Sequence, residues 1–363
     1  MSHIMFIGFG DLGQRTADML IRRDRISELT LIDLPNGGGA KNAEYMASCN
    51  TIPINFEGIN CLDTAKVEDA IRRRKPDLIV FGASLRTSMT VMSSPDPRAK
   101  AMWKAGMGFQ LPFQMPILLS AMKAIKEAAP DTPVANYTVP DVCHRILQSG
   151  GLTPAVGLGN PGIMQLRIQA NMVRSGTPAA KLPIVRIIGG FSFAVNVIYG
   201  LNPGDRSKEP LVFLGNDGTR ATTEDIYAGE DLLNVLPMNY ATALSAIPVL
   251  EALLPGGGDL QTNSPGVLGL FGGYPMNIVD QKVDFDMPPG YTLDDAIEFN
   301  NASIPVIGVE QWDDDGTLHY STEAKNLMLE AGCDPRLTEP YNALTDPDRT
   351  NILLDLMNDW KTS

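Results

Sequence analysis

Apolar residues run almost unbroken over His3–Ile7, give way to a glycine-bearing stretch at 8–13, and recur at helical spacing from Gln14 to Arg23. That order predicts strand, tight turn and helix. A second apolar run, Leu29–Asp33, predicts the next strand. Thr64–Arg74 is amphipathic with a basic last turn, which suits the negative end of a helix macrodipole. Positions 76–82 are a short apolar run of the kind buried on both faces of a parallel sheet. A helix over Met115–Ala129, a strand over Pro133–Asn136 and a helix over Pro140–Gln148 follow. The last is opened by Thr138 as a cap, with Pro140 in its first turn and Asp141 behind it. Strands alternating with helices predict a doubly wound parallel sheet, the Rossmann arrangement.

Further along, the pattern changes. Thr177–Ile188 and Phe191–Tyr199 read as antiparallel strands, Thr222–Leu233 and Met238–Leu254 as helices, Ile304–Glu310 and Gly316–Tyr320 as a hairpin, and Thr338–Trp360 as a helical tail. The change predicts two units: residues 1–155, a parallel α/β domain, and residues 156–363, an α+β domain. Composition narrows the function. With 42 acidic against 29 basic residues the formal charge is -13, the wrong sign for a nucleic acid or an anionic membrane. No apolar run approaches the roughly 20 residues that span a bilayer, and the start leads into a folded pattern without the n-region or cleavage site of a signal peptide. Four scattered cysteines without a CxxC pair read as reduced thiols. These features predict a soluble, cytoplasmic protein acting on a small molecule.

The candidate chemistry starts in the first turn. Gly8-Phe9-Gly10-Asp11-Leu12-Gly13 is a G-x-G-x-x-G element placed between a strand and a helix, and Asp33 ends the following strand 20 residues beyond Gly13. Each residue type has a task there: Gly8 permits the turn, Gly10 lets a pyrophosphate approach the backbone, and Gly13 lets helix pack on strand. Asp11 and Leu12 begin the helix whose free amides meet the phosphates. Asp33 accepts from a ribose 2′-hydroxyl and repels a 2′-phosphate, so the expected cofactor is NAD rather than NADP. Gly82, Ala83 and Asn136 follow two other strand ends, where ligands of such sheets bind. Between Ser84 and Pro112 the pattern breaks up, which reads either as a lid carrying Arg86 and Arg98 or as a surface excursion with solvated arginines. The acidic run Asp313–Asp315 lacks the spaced acceptors of a calcium loop, and no metal site is expected.

In these elements the chain resembles the lactate/malate dehydrogenase superfamily. Val80–Arg86 is similar to the strand that leads into the family's substrate loop, and Asn136 to the Asn beside nicotinamide ribose and substrate. Ala155–Gln169 is similar to the stretch in which an arginine clamps the substrate carboxylate, a place Arg167 takes here. The resemblance implies an NAD-dependent oxidoreductase, with Arg167 anchoring an anionic group, Asn136 touching substrate and Arg86 closing over the site. It also implies a homodimer or homotetramer.

The chain departs from the family at the proton-transfer pair. Met164 stands where the family has its aspartate, and Gly189-Gly190-Phe191-Ser192 replaces the element that carries its histidine. A noncanonical proton donor is then needed, with Tyr199, Lys208 and His144 as candidates, although a helical His is more often packed than catalytic. Gly157–Pro161 has some likeness to the family 4 glycosidases, which hold NAD permanently, so a redox-neutral enzyme of that type is an alternative. A third reading is a catalytically inactive NAD-binding or sensing protein.

Overall fold

The computed structural model describes residues 1–228 and 238–360. Its first half alternates strand and helix: β1 (Ser2–Ile7), α1 (Asp11–Leu20), β2 (Ile26–Asp33), α2 (Gly38–Ser48), β3 (Ile54–Gly58), α3 (Thr64–Arg74), β4 (Leu78–Phe81), α4 (Ser88–Ser93), α5 (Pro97–Ala105), α6 (Leu111–Ala128), β5 (Val134–Asn136), α7 (Val142–Ser149) and β6 (Val156–Gly157). The strands form one six-stranded sheet in the order β3-β2-β1-β4-β5-β6, with every pair parallel. This is the doubly wound Rossmann order, and its direction reverses between β1 and β4. A crevice therefore opens beyond the carboxyl ends of those two strands.

Alternation along the central strands builds two layers. Met5, Ile7, Ile79 and Phe81 point into one apolar core with α3, α5 and α6, whereas Ile4, Phe6, Leu78 and Val80 point into the other with α1. All eight are at most 1% exposed, and burying each contributes roughly 1.5–3 kcal/mol. That burial on both faces explains why these strands read as continuous apolar runs.

The second half supplies α8 (Asn160–Arg174), β7 (Val185–Ile188), α9 (Phe191–Tyr199), β8 (Leu211–Leu214), β9 (Thr219–Arg220), α10 (Thr223–Tyr227), α11 (Met238–Leu253), β10 (Leu260–Pro265), β11 (Gly273–Val279), β12 (Lys282–Phe285), α12 (Leu293–Asn301), β13 (Val309–Trp312), β14 (Leu318–Tyr320), α13 (Thr322–Glu330) and α14 (Asp348–Asp359). Two three-stranded antiparallel sheets, β7-β8-β9 and β10-β11-β12, and the β13–β14 hairpin complete it. The halves interlock. Helix α11 packs on α1, while α13 and α14 return to α5 and α6, so residues from Ile304 onward share a core with the parallel sheet.

Several expectations are corrected. Phe191–Tyr199 is a helix, not a strand: its buried residues are Phe193, Ala194, Val197 and Ile198, an i, i+1, i+4, i+5 spacing that its aromatic and β-branched composition disguises. Of Thr177–Ile188 only Val185–Ile188 is a strand. The stretch 84–112 is not a long irregular loop, since α4 and α5 occupy most of it. Helix α7 begins at Val142, and the Thr138 hydroxyl does not cap it. The expected helix Thr222–Leu233 is observed over Thr223–Tyr227, and its part beyond Ala228 lies outside the described residues.

Candidate functional site

A cavity of about 930 Å³ occupies the crevice at the sheet's switch point. The residues following β1, β2, β3, β4 and β5 all contribute to its wall, as the topology requires of a ligand site in this architecture. Its floor is the glycine turn. Gly8 has φ +98, and a Cβ there would lie 2.5 Å from the Ala83 nitrogen, so the β1 and β4 ends meet at a position only glycine can fill. A Cβ on Gly13 would lie 2.6 Å from the Gly8 carbonyl oxygen, which fixes how closely α1 packs. Gly10 differs. No protein atom lies within 4 Å of a Cβ built there, and the residue is exposed, so its missing side chain leaves room for something outside the protein.

Asp33 stands across this floor. Its Oδ2 accepts the Phe9 amide at 2.8 Å and its Oδ1 accepts the Leu34 amide at 2.7 Å. A carboxylate offers about four lone-pair sites, so two remain for a ligand. A Cβ on Gly39 would lie 2.9 Å from Oδ2, which explains the glycine at that position after β2. At the start of α1, hydrogen bonds first from Arg15 and then from Asn239 of α11 hold the Asp11 carboxyl below the usual carboxylate range. The second half of the chain thus closes one side of the cavity.

Of the residues expected at the site, Gly8, Gly10, Asp11, Leu12, Gly13, Asp33, Gly82, Ala83 and Arg86 all line the cavity. Asn136 and Arg167 do not. Asn136 is fully buried, with Nδ2 3.1 Å from His144 Nε2 and Oδ1 accepting the Thr138 amide at 3.0 Å, so its amide is spent on shaping the turn after β5. Arg167 is buried on α8, outside the cavity wall. Arg98 is bound by Asp96 at 2.8 and 3.1 Å and is no anion clamp.

Residues not expected at the site also line it: Asn60-Cys61-Leu62 after β3, Gln114 and Ile117 on α6, Tyr137–Val139 after β5, and Asn239. The strand ends could have been found from the rule that ligands sit beyond them. Asn239 carries no such signal, since a tertiary contact brings it there. Tyr240 is exposed, and the Thr242 hydroxyl donates to the Met238 carbonyl at 2.8 Å.

None of the three histidines lines the cavity. His3 faces Thr30, His319 pairs with Asp313, and His144 is fully buried against Gly157 and Gly266, where burial pushes it down to about 4. Tyr199 and Lys208 also lie outside its wall. The Cys61 thiol is pushed up to about 12, chiefly by burial, and is no nucleophile at neutral pH.

The Gly189-Gly190 pair has a local reason. A side chain on Gly190 would collide with the carboxylate of Asp141, which accepts the Phe191 amide at 2.8 Å and the Asn160 side-chain amide at 3.3 Å. Asp141 thereby ties the end of the parallel domain to the starts of α8 and α9. Burial pushes it up to about 6 against both hydrogen bonds. Met164 is fully buried among Ile163, Ile168 and Val185.

No protein-family model matches the sequence, and no curated protein matches it. Among solved structures the chain is similar to the lactate dehydrogenase from Eimeria maxima with NADH and oxamate, at 15% identity and TM-score 0.55 over 84% of this chain and 91% of that one. It is also similar to the malate dehydrogenase from Picrophilus torridus in its apo form, at 15% identity and TM-score 0.50 over 91% and 99%.

Proposed function

We propose that this chain, which has the fold of lactate and malate dehydrogenases, binds NAD in the switch-point cavity and transfers a hydride to or from a small polar, anionic substrate. The observation that carries the reading is the contrast among the three turn glycines: two are packed against protein, and Gly10 alone is open, opposite the acid that ends β2. The NADH named with the Eimeria enzyme agrees with it. A bound nicotinamide would supply the hydride acceptor or donor. The chain's own residues do the rest. The α1 amides face the diphosphate, Asp33 accepts from the adenosine ribose and disfavours a 2′-phosphate, and Arg86, the one cation lining the cavity among the described residues, meets the substrate's anionic group.

The proton that accompanies hydride transfer has no imidazole to carry it at this cavity. That observation favours a second reading, a protein that binds NAD without turnover. Incubating the protein with NAD and a panel of hydroxy acids while following reduced-nicotinamide absorbance separates the two. Formation of NADH supports the oxidoreductase; binding without NADH formation across the panel supports the inactive reading.

A further inference from the structure

Among the described residues, all but one of those lining the cavity come from the chain before Pro140; the exception is Asn239, in the first turn of α11. The parallel half holds its share of the wall firmly. Its strand ends are packed together at Gly8 and Ala83. The loop after β4 is fastened to α6 twice, the Leu85 amide donating to the Phe113 carbonyl at 2.9 Å and Gln114 Nε2 to the Arg86 carbonyl at 3.1 Å. Helix α4 beyond it is anchored by Val91, which is buried.

Asn239 is held differently. Its Nδ2 donates to Asp11 Oδ2 at 2.8 Å, and both residues are exposed. The bond joins positions 228 apart and ties the second half of the chain to the helix whose amides face the proposed diphosphate. Opening the wall at the strand ends or at α6 uncovers buried groups. Opening it at Asn239 exchanges one exposed hydrogen bond for bonds to water, a far smaller cost. Asp11 keeps a partner when Asn239 leaves, because Arg15 Nε donates to the same oxygen at 2.9 Å. The first turn of a helix, whose backbone amides have no helical partner, is also the part that frays most readily.

We propose that the Asp11–Asn239 hydrogen bond is a latch on the cofactor cavity, closed over a bound dinucleotide and opened for its exchange. The proposal rests on the dinucleotide reading and deepens it: Asn239 acts on the cofactor through Asp11, as a positioning residue. A latch that closes equally well over the empty and the filled cavity raises the barriers to entry and exit alike. It sets how fast the cofactor exchanges and leaves its equilibrium affinity unchanged.

Stopped-flow fluorescence of NADH association and displacement reads both rates, with circular dichroism to show that each variant is folded. Asn239→Ala removes the donor. Asn239→Asp also sets a like charge against Asp11 while keeping a residue suited to a helix start, so a loss of helix preference is not what it reports. Asn239→Ala is expected to speed association and dissociation together, roughly fivefold or more, with Kd within about twofold, and Asn239→Asp to speed dissociation at least as much. In an Asp11→Ala background, Asn239→Ala is expected to move neither rate beyond about twofold, since the bond is already gone. Exchange rates in Asn239→Ala equal to those of wild type overturn the proposal and leave exchange to another wall, such as α4. Faster dissociation with unchanged association overturns it too, because Asn239 then contacts the cofactor directly. The same acceleration in the Asp11→Ala background also overturns it, because Asn239 then acts without Asp11. Absence of NADH binding by folded wild type sinks the dinucleotide reading itself, and the latch with it.

Discussion

The Asp33 carboxylate accepts the Phe9 amide at 2.8 Å and the Leu34 amide at 2.7 Å, so the acid at the end of β2 also braces the glycine turn that opens α1. Removing it costs structure as well as any ligand contact. Asp33→Ala is expected to lower stability by about 2 kcal/mol and Asp33→Asn, which keeps one acceptor oxygen, by about 1 kcal/mol. Denaturant unfolding without nucleotide checks both.

The glycines of the turn are expected to separate stability from binding. Gly13→Ala forces a Cβ against the Gly8 carbonyl oxygen and should destabilise the fold by about 1–3 kcal/mol. Gly10→Ala meets no protein atom and should leave stability within about 0.5 kcal/mol. It nevertheless places a methyl group where the diphosphate is proposed to lie. Thermal unfolding paired with NADH titration reads the two effects, and a Gly10→Ala variant with intact NADH affinity would count against a ligand at that turn.

Two buried groups three residues apart should oppose each other in pH dependence. Asp141 is raised from 3.8 to about 6, so the folded state holds its proton more tightly, and its contribution to stability falls as pH rises from about 4 to 6. His144 is lowered from 6.5 to about 4, so the unfolded state takes up its proton first, and stability falls as pH drops from 6.5 toward 4. Each is worth on the order of 3 kcal/mol, so in wild type they largely offset. Asp141→Asn should therefore lose stability on acidification through this window more steeply than wild type. His144→Gln should instead gain stability as the pH falls. Urea unfolding from pH 4 to 7 distinguishes these slopes.

The two arginines of the segment after β4 should behave differently. Arg98 is held by Asp96 and packs beside α14, whereas Arg86 lines the cavity without a carboxylate partner among the described residues. Arg86→Ala is expected to weaken binding of lactate, a small hydroxy-acid probe, to the NADH complex about tenfold or more, and Arg98→Ala by less than about twofold. Equal losses in both variants would indicate a general charge effect rather than a contact.

How much of this was legible in the sequence depended on where the information is local. The turn from Gly8 to Gly13 and Asp33 were readable because strand, glycine spacing and acid all lie within one βαβ unit. Strands such as Leu78–Phe81 were readable because burial on both faces leaves an unbroken apolar run. Phe191–Tyr199 reads as a strand because Phe, Val, Ile and Tyr favour strands, while its helix is specified by the Gly190 turn and by the hydrogen bond that the Phe191 amide donates to Asp141, 50 residues away. Arg167 and Asn136 were matched by motif, and a motif does not say whether a side chain is spent within the fold; Asn136 is spent on Thr138 and His144. Asn239 was invisible because only the packing of α11 on α1 brings it to the cavity.

Titrating the protein with NADH and NADPH, in wild type and Asp33→Asn, while following nicotinamide fluorescence, tests whether the switch-point cavity holds NAD through Asp33. Wild type is expected to bind NADH tightly and NADPH at least about tenfold more weakly, and Asp33→Asn to weaken NADH while narrowing the gap. Absence of NADH binding, or equal binding of both nucleotides unmoved by the substitution, would contradict it.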